Sequence, residues 1–140
     1  MRAVLDANVI ISALLSPDGA PARVLRAWLD GGFELVVSRD LLAELERALA
    51  YPKLRKHVPA EDARDVIDWL ASTAEMTEDP DDPPEVRSRD PGDDYLIALA
   101  ESERAVLVSG DDHLLELADR IPVLTPAEFL ARFVSKPPSG

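Results

Sequence analysis

Asp6 interrupts an apolar run, with Ala3-Val4-Leu5 before it and Val9-Ile10-Ile11 shortly after. A carboxylate in that setting must be at least partly buried, which is costly unless a donor, a cation or the start of a helix meets it. Asn8, two residues on, can steady Asp6 or bind the same ligand. Glu44 borders a helical stripe of Leu41, Leu45, Ala48 and Leu49, whereas Glu46 faces away from it. Asp94 opens a run, Leu96-Ile97-Ala98-Leu99-Ala100, that reads as a buried helix, and it enters where the helix dipole favours an anion. Asp93 or Asp94 can equally cap that helix, and Asp90 can serve the same place from the preceding loop. Asp111 and Asp112 follow Gly110, directly after a strand-like run over 105–109. If Asp6, Glu44, Asp94 and Asp111 meet, they repel one another unless protonated or neutralised by cations. Hard oxygen ligands, in a chain with no cysteine and only two histidines, favour Mg²⁺ or Mn²⁺. Asp79, Asp81, Asp82 and Glu85 stand among prolines and read as solvated loop charge.

Such acids can meet only if the fold brings them to one edge. Strands are expected over 3–5, 33–37 and 105–109, with a weaker one over 74–77 and a last one over 121–124. Helices are expected after Pro21, from Ser38 (a good N-cap) to about 50, after Pro59, over 94–103 and 112–118, and after Thr125-Pro126. Near-continuous apolar strands alternating with helices indicate a parallel sheet covered on both faces, a three-layer α/β/α domain of about five strands. Ligands bind such sheets at the carboxyl ends of the strands, which is where Asp6 and Asp111 fall. One domain is expected over 1–134, with a flexible tail over 135–140.

The chain of 140 residues is long enough for one domain with a real core, and its low aromatic content of 5% means that Ala, Leu and Val must build it. The absence of cysteine excludes disulfides, thiolate metal sites and cysteine catalysis. No stretch approaches the ~20 apolar residues of a membrane span, and no basic leader with an apolar run opens the chain, so a cytoplasmic protein is expected. The net charge of −12 runs against a generic nucleic-acid binder. The best candidate for local positive charge is the cluster Lys53, Arg55, Lys56 and His57, with Arg87 and Arg89 near the third acid.

Four segments together resemble the PIN-domain nucleases. They are Val4-Leu5-Asp6-Ala7-Asn8-Val9-Ile10-Ile11, Ser38 with Leu41-Leu42-Ala43-Glu44-Leu45, Arg89-Asp90-Pro91-Gly92-Asp93-Asp94-Tyr95-Leu96-Ile97-Ala98-Leu99-Ala100, and Leu107-Val108-Ser109-Gly110-Asp111. Their order and spacing carry the likeness, which is strongest to the VapC-like toxins of type II toxin–antitoxin pairs. The resemblance implies hydrolysis of RNA phosphodiesters, with Asp6, Asp94 and Asp111 on the metal and Glu44 as a further ligand or as a base. Asn8, Ser38, Ser109 and His113 would support them, and Lys53, Arg55, Lys56, Arg87 and Arg89 would contact RNA. It also implies a cognate antitoxin and a homodimer, which Trp28 and the apolar helix faces can serve. Many relatives carry another aspartate two residues after the fourth acid; here that position is His113, so Asp112 or Asp90 stands in or a second metal is lost. Two other readings remain: a non-catalytic module on the same fold, and a haloacid-dehalogenase-type phosphatase. The second would want an aspartate where this chain has Asn8.

Overall fold

The computed structural model describes residues 1–134; the expected tail over 135–140 lies outside them. Five strands, β1 (Arg2–Leu5), β2 (Glu34–Ser38), β3 (Glu75–Thr77), β4 (Val106–Val108) and β5 (Val123–Leu124), form one parallel sheet in the order β3-β2-β1-β4-β5. Their residues explain the arrangement. Ala3, Val4 and Leu5 are wholly buried, as are Val36, Val37, Leu107 and Val108, so the central strands need cover on both faces. Register aligns Ala3 with Leu35 on one side, and Leu5 with Val108 on the other.

Among the described residues there are eight α-helices, of which the first seven connect strands and the last follows β5: α1 (Ala7–Leu15), α2 (Ala20–Leu29), α3 (Arg39–Leu49), α4 (Pro52–Arg55), α5 (Ala60–Thr73), α6 (Asp94–Ser102), α7 (Asp112–Leu115) and α8 (Pro126–Phe133). From β1 to β3 the chain steps one way across the sheet, and from β4 to β5 it steps the other way. Right-handed crossovers then put α1 to α5 on one face and α6 and α7 on the opposite face. The expected three-layer α/β/α architecture is what the structure has.

Local sequence sets the turns between these layers. The Ser38 hydroxyl accepts the Leu41 N–H at 3.2 Å, so β2 passes into α3 without a loop. After α2 the chain reverses at Gly31, whose φ of +83° favours glycine, and at Gly32, where a Cβ would lie 2.9 Å from the Ala27 carbonyl. Thr125 and Glu128 cap α8 reciprocally. Phe33 meets Phe129 edge-on with ring centres 5.0 Å apart, tying β2's entry to α8.

Some expectations are modified. At the basic cluster over 53–57, Pro52 opens the short helix α4, and the expected helix over 112–118 and strand over 121–124 shorten to Asp112–Leu115 and Val123–Leu124. The proline-rich loop closes with a 3-10 turn over Pro91–Asp93 before α6. The fourth strand is shorter than 105–109, because the Ala105 N–H turns back to the Ala100 carbonyl.

Candidate metal centre

Between β1 and β4 the chain's direction of travel across the sheet reverses, which opens a crevice at the carboxyl ends of those strands. Asp6 lies there. Its N–H donates to the Val108 carbonyl at 3.0 Å, and its own carbonyl accepts from Val9 and Ile10, so strand passes directly into α1. The side chain is 6% exposed. Oδ1 accepts the Asn8 N–H at 3.3 Å and Oδ2 accepts the Ser109 hydroxyl at 2.8 Å. Burial raises the Asp6 carboxyl, the Ser109 and Asn8 donors oppose this, and the carboxylates of Asp111 and Glu44 raise it further.

Ser109 is fully buried at the end of β4 and links two acids. While its hydroxyl donates to Asp6, its oxygen accepts the Asp111 N–H at 3.0 Å. Asp111 in turn caps α7: Oδ1 accepts the His113 N–H at 2.9 Å and lies 3.6 Å from His113 Nδ1. Asp112 is exposed beside it.

The two acids at the start of α6 divide their tasks. Asp94 Oδ1 accepts the Ser88 N–H at 2.8 Å, pinning the proline-rich loop. The Ser88 hydroxyl accepts the Asp90 N–H, and Asp90 Oδ1 accepts the Gly92 N–H, which completes the 3-10 turn. That turn aims Asp93 at the crevice. Burial, then the carboxylates of Asp111, Asp90 and Asp6, push the Asp93 carboxyl up to about 6. With all the acids ionised, its buried Oδ2 has no partner; a proton on Asp93 or Asp111 would bridge the two. One ligating atom from each of Asp90, Asp93 and His113 also lies within 4.8 Å of the others. A buried orphan oxygen among hard oxygen donors and one imidazole fits a divalent cation such as Mg²⁺ or Mn²⁺.

The sequence pattern assigns the third place to Asp94 and offers Asp93 only as a cap; the structure engages Asp94 with the Ser88 N–H and sets Asp93 in the field of Asp111, Asp90 and Asp6. Helical spacing carried the signal: Asp93 lies three, four and seven residues before Leu96, Ile97 and Ala100, all buried, whereas seven after Asp94 comes exposed Glu101. Asp79 was also misread as solvated charge. Its Oδ2 accepts the Asp40 N–H at 3.0 Å in the first turn of α3, and its Oδ1 is buried without a partner. Asp81, Asp82 and Glu85 are exposed, as expected.

Around this centre, Glu44 projects from α3, half-exposed, and accepts a hydrogen bond from Arg47 one turn on. The Tyr95 hydroxyl is buried without a partner, in the field of Asp6, Glu44, Asp93 and Asp79. Asn8 is exposed in the first turn of α1, and Ser38 is wholly buried as the cap of α3. The basic residues do not converge. Lys53, Lys56 and His57 are exposed on or just after α4, while Arg55 is half-buried against α5 beside Ala63 and Ile67. Arg87 donates to the Pro84 carbonyl and Arg89 is paired with Glu116.

A parallel α/β domain with clustered carboxylates at its switch point is the class defined by these features. A family model described as PIN domain matches residues 2–113. The chain belongs to the PIN domain family. It is 29% identical over 143 residues to an uncharacterized protein of Methanocaldococcus jannaschii, covering 95% of this chain and 92% of that one. Two crystal structures share the fold, each covering 89% of this chain and 98% of the other. VapBC2 from Rickettsia felis, bound to a DNA fragment from its promoter, has a TM-score of 0.60 at 17% identity. FitAcB from Neisseria gonorrhoeae has a TM-score of 0.57 at 20% identity.

Proposed function

We propose that the chain is a Mg²⁺- or Mn²⁺-dependent endoribonuclease and the toxin of a type II toxin–antitoxin pair. The observation that carries the reading is the meeting of Asp6, Asp93 and Asp111 at the switch point, with a buried Asp93 oxygen left without a donor. Membership of the PIN domain family and the fold shared with VapBC2 support it.

In this reading Asp6, Asp93 and Asp111 hold the cation, and Asp90 and His113 form a second flank. Asp94 takes a positioning role through Ser88 instead of ligating. A divalent cation there would make a bound water more acidic and would offset charge on the scissile phosphate. Ser109 holds the Asp6 carboxylate in one orientation, so that its other edge faces the crevice. Glu44 stands at the rim, able to orient or deprotonate a water once Arg47 shares or releases it. A crevice this acidic also suits a basic side chain presented by an antitoxin. A homodimer and a cytoplasmic setting belong to the same proposal; no helix among the described residues is long and apolar enough to cross a membrane.

The test is cleavage of labelled RNA in Mg²⁺, Mn²⁺ or EDTA, beside Asp6→Asn. Metal-dependent cleavage lost in the variant is expected. Hydrolysis of p-nitrophenyl phosphate without RNA cleavage would move the protein to the phosphatases. Neither activity, with no Mn²⁺ binding by calorimetry, would leave a non-catalytic module.

A further inference from the structure

We propose that the face of α3 running outward from Glu44 is a track for an unpaired RNA strand, with Arg47 holding a phosphate and Tyr51 stacking on a base. The proposal rests on the nuclease reading, gives Arg47 a role beyond its contact with Glu44, and adds Tyr51, which that reading does not use. Glu44 and Arg47 stand three apart on one stripe of α3 and are hydrogen-bonded, and Tyr51, just past the helix end, lies close enough to Arg47 to act on its charge. At ~1.5 Å rise per residue the path from Glu44 to Tyr51 extends roughly 10 Å, the length of a few nucleotides.

Both side chains are held ready for such a ligand. Tyr51 is 62% exposed, so its ring contributes little to the core. Its backbone is fixed all the same: the N–H donates to the Ala48 carbonyl, and its carbonyl accepts from Leu54 and Arg55 where Pro52 starts α4. An exposed aromatic ring on a fixed backbone is a stacking platform, and stacking tolerates any base. The Arg47 side chain is 64% exposed and held by Glu44 through one terminal nitrogen. Of the five N–H donors of a guanidinium, most remain free for a phosphate. The Glu44 contact thus holds Arg47 at the edge of the acidic centre with its remaining donors outward.

Charge supports the same occupant. In a chain of net charge −12, Arg47 sets an exposed cation beside the acidic centre, and Lys53 and Lys56 are exposed on or just after the short helix that follows Tyr51. Stacking on Tyr51 requires a base free of its duplex, so a single strand is the form that fits.

The experiment measures anisotropy of a labelled single-stranded RNA with the full chain in Mn²⁺, in an Asp6→Asn background, alongside KM and kcat for cleavage with Asp6 intact. Tyr51→Ala is expected to weaken binding and raise KM about tenfold while Tyr51→Phe keeps both. Arg47→Ala should weaken binding and reduce the salt dependence by about one phosphate contact, a slope of ~0.7. Calorimetric Mn²⁺ binding should be unchanged in each variant. Unchanged binding and KM in both alanine variants, with a cleaving parent, would overturn the track alone. A duplex bound as tightly as the single strand, with Tyr51→Phe as weak as Tyr51→Ala, would overturn the stacking. A parent that neither binds nor cleaves RNA would remove the nuclease reading and the track with it.

Discussion

Replacing Asp93 by Asn should stabilise the metal-free protein at neutral pH while removing its response to Mn²⁺. The carboxyl is pushed from 3.8 up to about 6, first by burial and then by Asp111, Asp90 and Asp6. Its folded value lies above its unfolded value, so the favourable contribution is full below pH 3.8 and is lost as pH rises through about 6. A shift of two units corresponds to about 3 kcal/mol, which screening at this partly exposed side chain reduces to about 1–2 kcal/mol. Above that pH, Asn carries no charge to repel its neighbours and should recover most of this difference. For a domain of this size the melting temperature should rise by about 3–8 °C in EDTA at pH 7.5 and change little at pH 4. With the parent, free Mn²⁺ at a hundred times its Kd should add about 2.7 kcal/mol, and with Asp93→Asn this increment should largely vanish. Asp94→Ala has the opposite sign, because it leaves the buried Ser88 N–H without an acceptor and should cost about 1–3 kcal/mol. Thermal melts of both variants at pH 4 and 7.5, with EDTA and with Mn²⁺, decide the matter. A lower melting temperature for Asp93→Asn in EDTA at pH 7.5, or a Mn²⁺ response kept by Asp93→Asn and lost by Asp94→Ala, would refute the assignment of Asp93 to the centre.

Two further substitutions probe its supports. Ser109→Ala removes the donor to Asp6 Oδ2 and the acceptor of the Asp111 N–H, and should cost about 2–3 kcal/mol in urea titrations; a loss under 0.5 kcal/mol would mean that water replaces the hydroxyl. Tyr95→Phe deletes a buried hydroxyl without a partner and should raise stability by up to about 1 kcal/mol in the same titration; clear destabilisation would show that the hydroxyl has a partner in solution.

The sheet was legible because its strands are short runs of residues that tolerate no solvent. Leu35-Val36-Val37 and Leu107-Val108 have one stable place, between two helical layers, and the parallel order follows from alternation with helices. Asp6 was legible for a related reason: a carboxylate inside an apolar run has few physical explanations. The Asp6 to Ser109 link was not. It joins residues a hundred positions apart and depends on β1 pairing with β4, which local pattern does not state. Asp79 escaped for the converse reason, since its loop composition is that of solvated charge, and only the docking of β3 beside β2 brings it to the first turn of α3. The pair Asp93-Asp94 shows the limit of reading composition without geometry. Both are acids at a helix start, but successive helical residues project about 100° apart, so one faces the crevice and the other the loop.

A net charge of −12 and an anionic substrate are compatible only if charge is sorted in space. In the metal-free chain the carboxylates at the switch point make the crevice the last place a phosphate would approach; burial first, and then the neighbouring carboxylates, raise the Asp6 and Asp93 carboxyls. Cations there would reverse the sign locally without altering the rest of the surface. The same acids then do opposite things in two states: they repel RNA when ionised and bare, and attract it when loaded. Substrate affinity is therefore expected to follow cation occupancy steeply, while Arg47 at the rim, which is not a ligand, contributes a term that depends on salt. The acidic composition that argued against a nucleic-acid partner becomes, in this arrangement, the means by which binding waits for the cation.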